Sequence, residues 1–364
     1  ALPVANSTWD LDGKTALYST VKMGSYLFVS LGASTNDAEI WRCSGCDGTS
    51  PVWQKIAGNS PSGDVTMVGN IPLNNAEWIT ALETDGTYLY AAMGGTAAGD
   101  AEVWRCTGCA TNNVNWQKVG GDTLNSSWAN TTYETVNKMV RSGNDIFVGL
   151  GNTANTQDGM VWRCANCGTS PVWSSIGGNA TNSSWGAATG TYEQVNSMTI
   201  ADVSGTPYLV VGLGNTGDGS VSDAEVWSAS LGSLPTISWT KRGGDGNGTP
   251  AQSWASTQYD QVTALIASGD DLYVGLGTTD NEAEIWYCPA LTSCTATAGW
   301  QKIGEGIGAS WTTSAGFNAV RSMAMDGDTL FVGLGDANGE ADIYRCADCD
   351  NNGAGRTWSK IAGD

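Results

Sequence analysis

Three sets of residues in this chain of 364 could do chemistry. Ten cysteines fall in five close pairs, Cys43–Cys46, Cys106–Cys109, Cys164–Cys167, Cys288–Cys294 and Cys346–Cys349. Such spacing can hold zinc, exchange disulfides or clip a hairpin. An acid recurs in one motif as Glu39, Glu102, Glu225, Glu284 and Asp342, and a ring of acids could attract a cation. Tryptophans recur beside further aromatics, carboxylates and an amide: Trp128 with Tyr133 and Glu134, Trp185 with Tyr192 and Glu193, Trp254 with Tyr259 and Asp260, Trp311 with Phe317 and Asn318. A ring beside hydrogen-bonding groups suits a pyranose, which has an apolar face and a rim of hydroxyls. Histidine is absent. That removes the commonest general base, the commonest metal ligand and the usual partner of a Ser or Cys nucleophile.

Each set also has a plainer reading. Structural zinc needs four ligands, and each cysteine pair supplies two thiolates with no histidine to complete a site. One pair is spaced C-x5-C, and the place of a sixth is taken by Ser228-Ala229-Ser230, with both members lost together. Pairwise presence and pairwise loss predict five local disulfides, each worth about 2 kcal/mol at most because its loop is short. Five disulfides imply an oxidising compartment. A redox-active pair would occur once, not five times. The acids are matched by Lys55, Lys118, Lys241, Lys302 and Lys360 in a W-x-K motif, and where the acid becomes Met160 the lysine becomes Ser175. If the two Trp of that hairpin face each other, acid and lysine face each other as well, as cross-strand pairs worth roughly 0.2–1 kcal/mol. The Trp set, being periodic, also fits residues that plug gaps between repeats.

The element that must position these residues is a repeat. LFVSLG at 27–32 returns as LYAAMG, IFVGLG, LVVGLG, LYVGLG and LFVGLG at 330–335. Each is followed by AEIWRC or a variant, then by WQKIAG or a variant, and preceded by V-x-x-M or V-x-x-L across a Gly-containing turn. That gives four short strands per repeat, A to D, at about sixty residues. Four-stranded antiparallel units repeated six times predict an all-β, six-bladed β-propeller with the N- and C-termini meeting between blades six and one. We read 1–364 as a single domain, with repeats at approximately 1–59, 60–122, 123–179, 180–245, 246–306 and 307–364. Glycines in strand B, such as Gly149 and Gly151, would let neighbouring blades approach closely. The repeat resembles the LYVGLG…AEVWR propeller repeats of secreted and surface proteins of bacteria. The resemblance covers essentially the whole chain and implies surface exposure without implying an activity.

The net charge is −20. A field of that sign repels phosphate backbones and anionic membrane surfaces, so nucleic acid and membrane insertion are not expected. No apolar run reaches transmembrane length, and no signal peptide is visible at Ala1, which reads as a mature, processed chain. The B–C loops are acidic, and Asp336-Ala337-Asn338-Gly339-Glu340 is similar to the calcium loops of integrin-type propellers, with Asp336, Asn338 and Glu340 as the oxygen ligands. Glycosylation sequons occur at Asn6, Asn125, Asn130, Asn179, Asn182 and Asn247. The expectation is an extracellular, non-enzymatic binding or adhesion module, lectin-like, using the face that carries the D–A and B–C loops, with a glycan or a surface protein as partner. The alternative is a structural subunit of an extracellular filament, pilus or sheath, whose partners are copies of itself. A carboxylate-based glycoside hydrolase is a third, minor reading.

Overall fold

A computed structural model describes residues 4–5, 16–32, 38–58, 78–97, 99–129, 133–151, 159–178, 181–185, 194–214, 224–244, 254, 259–277, 283–295, 298–304, 311, 317–335, 341–349 and 356–363. They belong to two compact units. One comprises residues 1–153 and 161–175, the other residues 154–160 and 176–364.

In the first unit, repeat one folds as β2 (Ala16–Met23), β3 (Tyr26–Gly32), β4 (Glu39–Ser44) and β5 (Val52–Gly58), each antiparallel to the next. Repeat two follows as β6 (Trp78–Thr84), β7 (Leu89–Gly94), β8 (Glu102–Thr107) and β9 (Asn115–Gly120). Repeat three supplies β10 (Thr135–Ser142), β11 (Asp145–Gly151), β12 (Met160–Ala165) and β13 (Val172–Gly177), of which Met160, Ile176 and Gly177 belong to the second unit. The N-terminal segment does not simply lead into strand A. A two-residue strand β1 (Val4–Ala5) pairs with the outer edge of β5, Val4 opposite Trp53 and Ala5 opposite Val52. Trp9 lies outside the described residues.

The second unit carries β14 (Gln194–Val203) to β17 (Trp239–Gly243), β18 (Val262–Ser268) to β21 (Gln301–Gly304) and β22 (Ala319–Asp326) to β25 (Thr357–Ala362), again as antiparallel meanders of four. The fold is all-β, and its unit is the four-stranded blade of a β-propeller.

The sequence explains these strands. Strand B is buried along nearly its whole length in β7 and β11, so it reads as a continuous apolar run rather than an alternation. Gly143 (φ 60) and Gly269 (φ 63) supply the left-handed residue of the tight A–B turns. The strand-B glycines do allow close approach: a Cβ on Gly275 would sit 2.6 Å from Val320 of the next repeat. The strand D Trp stitches successive repeats. Its indole nitrogen donates to a strand D carbonyl of the preceding repeat, Trp116 to Ile56 (3.2 Å), Trp173 to Val119 (2.8 Å), Trp239 to Ile176 (2.7 Å), Trp300 to Arg242 (2.8 Å) and Trp358 to Ile303 (2.9 Å). A bulge recurs in strand D opposite the step into the strand C aromatic: Ile40 pairs with Ala57 and Trp41 with Lys55, so Ile56 is the extra residue. It offsets the lysine by one position relative to a regular ladder.

Candidate functional site

The recurring acid is held from two sides. Glu39 accepts from the indole nitrogen of Trp41 at 2.8 Å and from the ammonium of Lys55 at 2.5 Å, on different carboxylate oxygens. The same three-residue arrangement joins Glu102, Trp104 and Lys118; Glu225, Trp227 and Lys241; and Glu284, Trp286 and Lys302. In repeat six Lys360 meets Asp342 at 2.8 Å, with Tyr344 in the Trp position. The acid–lysine pairing thus holds in five repeats. The register behind it differs from the expectation. The two Trp do not face each other: Lys55 lies opposite Trp41, and Trp53 lies opposite Cys43. The bulge makes the acid–lysine contact diagonal and places the Lys55 ammonium 6.0 Å from the Trp41 ring. The bond from the indole was not read from the sequence. Its signal was the spacing E-x-W, which puts both side chains on one face of a strand. In repeat three, Met160 replaces the acid, and the buried Trp162 indole nitrogen has no hydrogen-bond partner among the described residues. These acids are cross-strand partners and not an open cation ring.

All ten cysteines are disulfide-bonded within their own repeats, with Cα separations of 5.6 to 6.1 Å. The disulfide loops have a second role that sequence reasoning missed. Arg42 donates to the carbonyl of Cys109 in the next repeat at 2.8 Å and to that of Thr111 at 2.5 Å, and also bonds Gln54. Arg105 reaches Cys167 and Gly168 in the same way, at 2.9 and 2.7 Å. Repeat four has Ser228 in place of this arginine. Arg242 on the adjacent strand takes over, bonding Ser228 and reaching the carbonyls of Thr292 and Cys294.

The aromatic set of the D–A loops is not an exposed platform. Trp128, Trp185, Trp254 and Trp311 are only 2–3% exposed. Each ring is edge-on to two others, Trp128 to Trp162 and Trp173, Trp185 to Trp227 and Trp239, Trp254 to Trp286 and Trp300, Trp311 to Tyr344 and Trp358. Three of the indole nitrogens donate to backbone carbonyls, Trp128 to Ala101, Trp185 to Gly159 and Trp254 to Ala224. The four rings thus pack against other rings, edge contacts worth about 0.5–1.5 kcal/mol per pair, and the Trp311 indole nitrogen is buried without a hydrogen-bond partner among the described residues. Tyr133, Glu134, Tyr259, Asp260, Phe317 and Asn318 are buried as well, and their backbones bond the preceding B–C loop, as in Gly99 to Tyr133 and Ala224 to Tyr259. Tyr192 and Glu193 lie outside the described residues, as do Asp336, Asn338 and Glu340 of the calcium-like loop. Among the described residues no group of three or more His, Cys, Asp or Glu could hold a metal.

Two sequons also prove to be structural. The Asn125 amide donates to the Val119 carbonyl at 2.9 Å, and the Asn182 amide to Ile176 at 3.0 Å. Both asparagines adopt the left-handed region, at φ 54 and 55. A glycan on either nitrogen would have to displace that bond. Asn6, Asn130, Asn179 and Asn247 lie outside the described residues.

Few titrating groups are disturbed. Burial pushes the Glu83 carboxyl up and pulls the Lys138 ammonium down. For Lys118 burial alone would lower the value, but bonds to Asp122 and Glu102 outweigh it and raise it. No shifted pair faces another in the manner of an acid–base couple among the described residues.

No protein-family model and no curated protein matches this sequence. Solved structures do. The chain is similar to an ancestral GH74 enzyme at 14% identity and TM-score 0.39, covering 93% of this chain and 50% of that one, so it spans half the length of that enzyme. It is similar to a candidate 6-phosphogluconolactonase from Bacteroides fragilis at 10% identity and TM-score 0.49, covering 94% and 83%. It is also similar to polysaccharide lyase Uly1 at 9% identity and TM-score 0.42, covering 90% and 89%. At such identities a likeness concerns the fold alone and carries no activity across.

Proposed function

We propose that this chain is an extracytoplasmic, non-enzymatic scaffold that works by interaction rather than turnover, and that its partners are copies of itself. Support for interaction without turnover comes from where the recurring polar residues are spent. Glu, Lys, Arg, Cys and Trp bond one another or the backbone, blade after blade. Five disulfides favour an oxidising compartment. Between the two kinds of partner, a glycan has lost its best platform, because the four loop Trp are enclosed. Self-association is carried by one observation: large apolar side chains stand exposed in both units, among them Leu17, Val172, Ile343 and Ile361. Apolar surface of that kind is a feature of association sites.

A glycan array and light scattering on the same oxidised sample separate the two partners. The reading expects no glycan signal and a mass above the 37.8 kDa of one chain. A strong glycan signal from a particle of one-chain mass would replace it with the lectin-like reading.

A further inference from the structure

The inference rests on the assembling reading above and names two strand edges that meet, both in the first unit. Two repeats of that unit enter strand D through the same five residues, Thr49-Ser50-Pro51-Val52-Trp53 and Thr169-Ser170-Pro171-Val172-Trp173. The proline brings no N–H that needs a partner, and valine favours extended backbone, so each stretch suits the start of an edge strand. In repeat one the outer edge of that strand is taken. β1 lies antiparallel to β5, with Val4 opposite Trp53 and Ala5 opposite Val52. In repeat three, β13 pairs with β12 alone among the described residues. Val172 is 57% exposed, against 36% for Val52. Val172 and Trp173 belong to the same unit as β1 and β5.

β1 is itself an edge, since it ends the sheet of order β1-β5-β4-β3-β2. In an antiparallel strand the N–H and C=O of one residue point to one side, and those of the next residue to the other. Of Val4 and Ala5, one therefore turns its main-chain groups toward β5 and the other turns them outward.

We infer that the outward edge of β1 in one copy of this chain pairs with the outer edge of β13 in a second copy. One sheet then runs through β4, β5 and β1 and on through β13 and β12 of the neighbour. Recognition of this kind is made by main-chain hydrogen bonds, and the edge offered by β13 repeats the five residues that β1 already lies against. An edge strand with no charged residue is the kind that pairs with another chain, and β13 reads VWSSIG. β1 keeps its place on β5, so association breaks no pairing within the chain. Two different edges meet, so the contact is heterologous and repeats from copy to copy.

Two added cysteines, Ala5→Cys in one sample of the chain and Val172→Cys in another, test the pairing, because all ten native cysteines are already bonded. The register on β5 sets Ala5 opposite the valine. In a glutathione buffer that leaves the native disulfides intact, a mixture of the two variants should form a bonded species of twice the chain mass, well above the yield from either alone. Val172→Lys should bring the light-scattering mass of the assembling chain down to one chain. Asn115→Lys, the same position in repeat two and also exposed, should leave it unchanged. Added lysine reduces the repulsion between chains of net charge −20, so loss of assembly in Val172→Lys alone reports the edge and not the charge. If Val172→Lys assembles as well as the unaltered chain and the mixture gives no bonded species, the inference falls and the assembling reading stands. If the unaltered chain has one-chain mass at every concentration, both fall. A chain carrying both cysteines that closes the bond within itself at high dilution would give the β13 edge to its own N-terminal segment and overturn the inference as well.

Discussion

The guanidinium of Arg42 leaves its own repeat and donates to the carbonyl of Cys109 at 2.8 Å. The disulfide between Cys106 and Cys109 holds that carbonyl in place, so a covalent clip in one blade becomes an acceptor for the blade before it. Arg42→Ala should cost about 1.5–3 kcal/mol, the range for a hydrogen bond from a charged donor. Chemical denaturation of the oxidised protein checks this. Arg42→Lys should recover only part, because an ammonium cannot reproduce the fork that spans Cys109, Thr111 and Gln54.

Glu225 is the acceptor for both Trp227 and Lys241. Glu225→Ala should destabilise by about 1–3 kcal/mol, since it leaves a half-buried indole donor and the Lys241 ammonium without their shared acceptor. Lys241→Ala should cost less than 1 kcal/mol, because its ammonium is partly solvated and the indole keeps its acceptor. Equal costs for the two substitutions would show that the ion pair, not the indole bond, is what matters.

Lys138 has no ion-pair partner among the described residues, and burial lowers its pKa below the usual 10.5. A lysine that is harder to protonate folded than unfolded makes the unfolded state bind more protons. Stability from this group therefore rises with pH between the depressed folded value and 10.5, and levels off above it. Lys138→Met should raise the melting temperature at pH 7 and flatten that rise. A lower melting temperature for Lys138→Met would point to an ordered partner for the ammonium.

Nine cysteines are buried and Cys46 is partly exposed. Graded reduction followed by alkylation and peptide mass mapping should label Cys43 and Cys46 first. Full reduction should lower the melting temperature steeply, since five loops at about 2 kcal/mol at most add up to roughly the stability of a domain. First labelling at Cys288 or Cys294 would mean that accessibility does not govern reduction here.

The strands, the disulfides and the acid–lysine pairs were legible because each repeats, and because loss occurs in pairs at Ser228–Ser230 and at Met160 with Ser175. The register was not. A bulge at Ile56, opposite the step from Ile40 to Trp41, shifts the ladder by one residue and leaves no mark in the pattern of residue types. The arginine caps were invisible for a different reason. Their targets are backbone carbonyls, which every residue supplies, so no second side chain betrays them. The loop Trp could be placed but not weighed, because periodic spacing is the same whether a ring packs between blades or faces a ligand.

Negative-stain electron microscopy of the purified, oxidised protein tests the central claim most directly. The account predicts particles associated with one another, in larger assemblies as concentration rises. Separate particles of one-chain size at every concentration would contradict it.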